Sequence, residues 1–149
     1  MPLDSLWLML AAAAGGCIAL QATTNAALRQ QLGDARYAAF FSICGTIRTA
    51  SAFMALIRPA APAAAAIRSA AWWNWLGGPL GALIVLAGAT LTPRLGAAAF
   101  IAAVVGGQLL CSLALDHFGL MNLPQQTLSG SRLIGAIMVF AGVLLVRYG

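Results

Sequence analysis

The stretch FFSICGTIRTASAFMALI, residues 40–57, is apolar enough to cross a bilayer, yet it holds an arginine, Arg48, near its middle. The apolar run begins at Tyr37, eleven residues before Arg48, and closes at Ile57, nine residues after it. As a helix this puts the guanidinium-bearing residue ~16 Å and ~14 Å from the two ends, too deep for its side chain to snorkel comfortably. A central arginine opposes insertion by ~2.5–3.5 kcal/mol. The seven Phe, Ile and Leu residues of the run favour it by ~0.3–0.6 kcal/mol each, ~2–4 kcal/mol together. The two nearly cancel, so this helix spans only with neighbours that satisfy its cation. On a helical wheel Ile43, Ile47, Met54 and Ile57 form one apolar side, and Arg48 stands roughly opposite among Cys44, Ala52 and Ala55. The cation is expected to face protein or water rather than lipid.

The rest of the chain has the same character. Of its 149 residues 62% are hydrophobic and 7% charged, with a mean hydropathy of +0.91, against ~25% charged in an ordinary soluble domain. This is the composition of an integral membrane protein. There is no lysine and no glutamate; eight arginines and three aspartates carry the formal charge of +5. The arginines are scattered singly, without the clustering and interleaved aromatics of a nucleic-acid surface, so no nucleic acid partner is expected. Cys17, Cys44 and Cys111 lie inside apolar runs with no metal-ligand spacing, and no cofactor or metal is implied. AAAAGGC, ending at Cys17, faintly resembles a lipoprotein processing site. The segment before it has no positive charge and the apolar run continues past the cysteine, so the reading is a retained spanning helix.

A span needs ~20 mainly apolar residues, and five segments qualify, at about 6–28, 37–57, 72–91, 97–115 and 129–148. The fold class is therefore all-α integral membrane protein, a single transmembrane domain over 1–149. RQQLGDAR links the first two spans, and RPAAPAAAAIRSAA reads as a loop. TPRLG, residues 92–96, reads as a tight turn. The fifth span has only 14 unbroken apolar residues, Leu133–Val146, and is expected to start earlier, with Ser129 or Ser131 as N-cap. Trp72, Trp73 and Trp75 suit the headgroup layer as an anchor. GALIVLAGATL (81–91) aligns with GAIMVFAGVLL (135–145) at six of eleven positions; glycines seven apart share a helical face and permit close helix approach.

The arginines say little about orientation. Arg58, Arg68 and Arg132 fall on one side of the membrane and Arg29, Arg36, Arg94 and Arg147 on the other, whereas a clear excess normally sets topology. Weak orientation or insertion both ways up follows. Two oppositely inserted copies would supply ten helices, the inverted-repeat plan of many secondary transporters, with each chain as one half.

Polar residues at depth need a partner or water. Gln21 and Asn25 are one turn apart, with Thr24 beside them, and form a polar stripe on the first helix. Gln108 and Ser112 share a face of the fourth helix, beside Gly106 and Gly107. Gln21, Asn25, Arg48 and Gln108 are accordingly the candidate substrate-binding residues. Each has a structural counterpart reading, as interhelical glue or as an arginine bonded to carbonyls or to a glutamine. Asp116 and His117 end the fourth span at the interface; they are a candidate proton-coupling pair, with an interfacial turn as the other reading.

LQATTNAALRQQLGDARYAAFFSICGT, WWNWLGGPLGA, TPRLGAAAF, GGQLLCSLALDHFGL and LSGSRLIGAIMVFAGVLLV together resemble the YdcZ-like family of short inner-membrane proteins, in the drug/metabolite transporter superfamily. The resemblance runs through nearly the whole chain in order. It implies five helices per chain, a multi-pass protein of the bacterial inner (cytoplasmic) membrane, and transport or export rather than enzymatic work. It also implies antiparallel pairing, as a dual-topology homodimer or with an oppositely oriented homologue. One departure stands out: after GT the family continues with apolar residues, and here Arg48 follows one residue later. An anionic or carboxylate-bearing small molecule is therefore the candidate substrate. The alternative function is an accessory subunit that stabilises another membrane complex, its polar stripes serving as glue.

Overall fold

Two residues, Gly33 and Asp34, separate the first two helices. In the computed structural model, which describes residues 2–149, α1 runs Pro2–Leu32 and α2 runs Ala35–Ile57. Gly33 takes a left-handed φ of 75° and its N–H closes α1 on the Arg29 carbonyl at 2.9 Å. Asp34, in extended conformation, caps α2 by accepting from the Arg36 N–H at 2.8 Å. The Arg36 guanidinium folds back onto the same carboxylate, the shortest contact 2.6 Å. These hydrogen bonds lower the Asp34 pKa from 3.8 to about 2. A lowered value means that the fold favours the ionised carboxylate, so this support for the turn is complete above about pH 4 and fades as pH falls toward 2. The connection is shorter than the polar link RQQLGDAR suggested, because Arg29–Leu32 continue the helix. Arg, Gln and Leu are good helix formers, and polarity at a membrane surface does not end a helix.

α2 stops at Arg58, whose left-handed φ of 49° directs its N–H to the Met54 carbonyl. The following segment, expected as loop, contains a short helix, α3 (Ala64–Ser69), where an alanine run meets no helix breaker. A 3₁₀ turn at Trp72–Trp75 leads into α4, Gly77–Leu95. Trp72 and Trp75 are exposed, and Trp72 meets Trp73 edge-on with ring centroids 5.9 Å apart, as befits interfacial anchors. α5 (Ala97–Phe118), a 3₁₀ turn at Leu120–Asn122 and α6 (Gly130–Tyr148) complete the chain. Ser129 is the N-cap of α6, accepting from the Arg132 N–H at 3.3 Å. Five helical segments, Asp4–Leu32, Ala35–Ile57, Trp72–Leu95, Ala97–Phe118 and Gly130–Tyr148, are long and apolar enough to cross a membrane. The all-α, five-span fold is thus what the sequence led one to expect, with longer helices and shorter links.

The chain divides into two compact units at Thr92–Pro93. In the first, the buried residues are small: Ala22, Asn25 and Ala26 of α1, Ala38 and Ala39 of α2, and Gly88, Ala89 and Thr92 of α4. Small residues at helix contacts let backbones approach, which is the main source of packing energy when the solvent is itself hydrocarbon. In the second unit α5 meets α6 at Gly106, where an added Cβ would lie 3.4–3.5 Å from Phe140 and Val143. Gly81, Gly107, Gly135 and Gly142, also read as close-approach positions, face open space.

α4 continues through Pro93, where a tight turn was expected, and ends at Leu95 before Gly96, with φ 83°. Proline has no N–H, so the carbonyl four residues back, at Ala89, loses its helical donor. In a bilayer an orphaned carbonyl costs several kcal/mol. Arg29 of α1 supplies the substitute: its Nη1 donates to the Thr90 carbonyl at 3.0 Å and reaches that of Ala89 at 3.5 Å. The arginine and the proline should therefore be energetically coupled. Arg29→Ala is expected to destabilise the protein by ~1–3 kcal/mol, and distinctly less in a Pro93→Ala background, where a restored N–H bonds Ala89. Unfolding midpoints of the four proteins in detergent check this; additive effects would sink the coupling.

Candidate functional site: polar grooves on α1 and α2

α2 carries hydroxyl side chains at Ser42, Thr46 and Thr49, a spacing that lays them along one helical face. The Thr46 and Thr49 hydroxyls donate to the carbonyls four residues back, Ser42 at 3.1 Å and Gly45 at 3.0 Å. Their protons are thereby satisfied inside the helix, as hydrocarbon surroundings require, and their oxygen lone pairs remain free to accept. These three residues line a groove of about 480 Å³ with Gln21 of α1 and Phe53.

Two further depressions adjoin it. Gln21 and Thr46 also border a cleft of about 520 Å³ whose walls are Ile43, Ile47, Ile84 and Val85, with Gly77, Gly78 and Gly81 of α4. Thr49 also borders a groove of about 410 Å³ formed with Gly45, Arg48 and Ala52. Shared residues thus run from an apolar cleft, through a hydroxyl-lined groove, to a cation.

Arg48 is exposed on α2 and makes no hydrogen bond or ion pair among the described residues. Neither a carbonyl nor Gln21, Asn25 or Gln108 bonds its guanidinium, so the structural reading of this arginine finds no partner within the described chain. Only Ala38 and Ala39 of α2 are buried, and the helix from Gly45 to Ile57 lies open. Its neighbour Cys44, one turn away, is half-buried.

The other candidate residues separate. Gln21 joins the grooves. Asn25, 5% exposed, is drawn into the α1 packing face, where its amide nitrogen has no partner among the described residues; the Thr92 hydroxyl, 6% exposed, is in the same condition. Gln108 is exposed on α5, in the second unit. Asp116 pairs with Arg132 at 2.5 Å, and its backbone carbonyl accepts from the Gln126 N–H at 2.8 Å. His117 accepts from the Leu128 N–H through Nδ1 at 3.2 Å, while its carbonyl accepts from the Gln125 side chain at 2.9 Å. Both residues thus hold the connection between α5 and α6, the geometry of an interfacial turn. Ser42, Thr46 and Thr49 were not singled out in the sequence; their spacing of four and three residues, one turn each, was the available signal, masked by the low cost of burying a hydroxyl that can bond its own helix.

The profile of a family described as "Putative inner membrane exporter, YdcZ" fits residues 6–145. The chain belongs to the YdcZ family. It is 36% identical over 80 residues to the inner membrane protein YdcZ of Escherichia coli (strain K12), a match that covers 54% of this chain and 53% of that one. The aligned part therefore spans about half the length of the curated relative. No solved structure matches. With five apolar spans and this family profile, the YdcZ-family chain is a multi-pass protein of the bacterial inner membrane.

Proposed function

We propose that this YdcZ-family chain is one half of an inner-membrane transporter that works as an antiparallel pair, moving an anionic or carboxylate-bearing small molecule past Arg48. The carrying observation is that Arg48 stands near the middle of a spanning helix, exposed and unpaired among the described residues. A bare guanidinium in hydrocarbon is unfavourable by several kcal/mol, so this face of α2 must meet water or another protein surface. A second copy offers both, since two open α2 faces can enclose a wet pathway. The arginine balance supports opposite insertion: with Arg36 and Arg132 neutralised by aspartates, Arg58 and Arg68 remain on one side and Arg29, Arg94 and Arg147 on the other, still no decisive excess. Two copies of Arg48 ~8 Å apart at an effective dielectric of ~20 would repel by ~2 kcal/mol, and a bound anion relieves that repulsion.

A pathway implies water beside Arg48. Cys44 should therefore react with a membrane-impermeant thiol reagent in sealed vesicles, and an anionic substrate should slow the reaction. Complete inertness of Cys44, with Cys17 and Cys111 replaced by serine, would favour an accessory subunit whose polar residues are buried glue.

A further inference from the structure

We infer that the anion taken between two copies of this chain is a dianion, a short dicarboxylate that receives one Arg48 guanidinium from each copy. This rests on the antiparallel pair proposed above and names what that pair carries. Depth singles out Arg48. α2 spans Ala35–Ile57, so its midpoint is Thr46 and Arg48 stands two residues beyond it, ~3 Å along the helix axis. Inverting a second copy about that midpoint places its Arg48 as far on the other side, so the two residues come ~6 Å apart along the membrane normal. The other seven of the eight arginines sit in terminal turns, at the α2 C-cap or in α3. Inversion sends each of these and its counterpart to opposite faces of the membrane.

The pair therefore holds two positive charges in one low-dielectric layer, and neither copy sets a carboxylate against them. The chain has no glutamate, and its three aspartates lie at helix ends: Asp4 in the first turn of α1, Asp34 on Arg36 and Asp116 on Arg132. A monoanion leaves one guanidinium uncompensated away from bulk water. A dicarboxylate answers both, and its second carboxylate binds without a second loss of translational freedom. The groove around Arg48 suits a compact polar body. Gly45 and Ala52 stand one turn to either side of it, and with Thr49 they line about 410 Å³ without a large apolar side chain. A Cβ added at Gly45 would meet nothing within 4 Å. The Thr49 hydroxyl proton is given to the Gly45 carbonyl at 3.0 Å, so recognition falls on the guanidiniums, each a planar fork that matches one carboxylate. An inorganic dianion carries both charges on one centre and satisfies two forks only by drawing them together against their repulsion.

The test uses the full chain in nanodiscs, with unaltered and Arg48→Gln copies carrying different tags, so that pairs with two, one or no Arg48 are purified separately. The substitution removes no hydrogen bond or ion pair among the described residues, so all three pairs should assemble. Equilibrium binding of succinate is compared with that of monomethyl succinate, the same skeleton with one charge, and of sulfate. Succinate should bind the two-arginine pair ~10- to 100-fold more tightly than monomethyl succinate, the worth of one further charge-assisted contact, at one molecule per two chains. In the one-arginine pair that preference should all but vanish, and sulfate should bind the two-arginine pair more weakly than succinate. Equal binding of the two acids, a preference for succinate that persists in the one-arginine pair, one succinate per chain, or sulfate bound as tightly as succinate overturns the dicarboxylate. In each of these cases, binding that still depends on Arg48 leaves the anion reading standing. Binding retained in full by the pair without Arg48, or failure to recover any mixed pair, overturns both.

Discussion

Replacing Arg48 by alanine is expected to lower anion binding and flux about 10- to 100-fold. The magnitude follows from the chemistry of the groove. A hydrogen bond to a charged group is worth ~1.5–3 kcal/mol, and each 1.4 kcal/mol is tenfold in affinity. Little else compensates, because the threonine hydroxyl protons nearby are already given to carbonyls. Arg48→Lys keeps the charge and loses the planar fork, so it should retain part of the activity and show a weakened preference for carboxylates over other anions. The same alanine change should make α2 insert more readily, since ~2.5–3.5 kcal/mol of opposition disappears. The two readouts move in opposite directions: more protein in the membrane and less transport per molecule. A merely structural arginine would give the reverse pattern, with lower abundance and unchanged flux in the molecules that remain. Anion binding that survives Arg48→Ala unaltered would end the proposal that this residue recognises substrate.

Reporter fusions at the C-terminus are expected to register on both sides of the membrane in comparable amounts, and shifting a few charges should abolish that balance. Gln30 and Gln31 are exposed on the side bearing Arg29, and Ala61 and Ala65 are exposed on the side bearing Arg58. Gln30→Arg with Gln31→Arg should lock one orientation, and Ala61→Arg with Ala65→Arg the opposite one, because orientation follows the excess of basic residues near the span ends. Each locked variant alone should lose transport nearly completely. Co-expression of the two should restore it, since an antiparallel pair needs one copy each way up. Full activity of a single locked variant would rule out the dual-topology homodimer; a single orientation of the unaltered chain would point to an oppositely inserted homologue as partner.

The reading from sequence succeeded best where the physics is a local sum. A span is an addition of transfer free energies over ~20 residues, so the five spans and the depth of Arg48 could be read from the sequence alone. The caps at helix ends were partly legible for the same reason: Ser129 acts within three residues of itself. Helix ends near polar residues were not, because Arg29, Gln30 and Gln31 are hydrophilic and yet helix-forming.

Membership of the YdcZ family was also readable from the ordered motifs. What only the tertiary structure decided is which polar groups meet. Pro93 looked like the end of a helix until Arg29, some sixty residues earlier, was found beside the carbonyls at Ala89 and Thr90. Asp116 and Arg132 became a pair that closes a loop, and Asn25 sank into the α1 packing face while Gln21, one turn away, stayed in the groove. Arg48 was left without a partner among the described residues. Such pairings depend on a few ångströms of separation between residues distant in the chain, and no periodicity or composition encodes that distance.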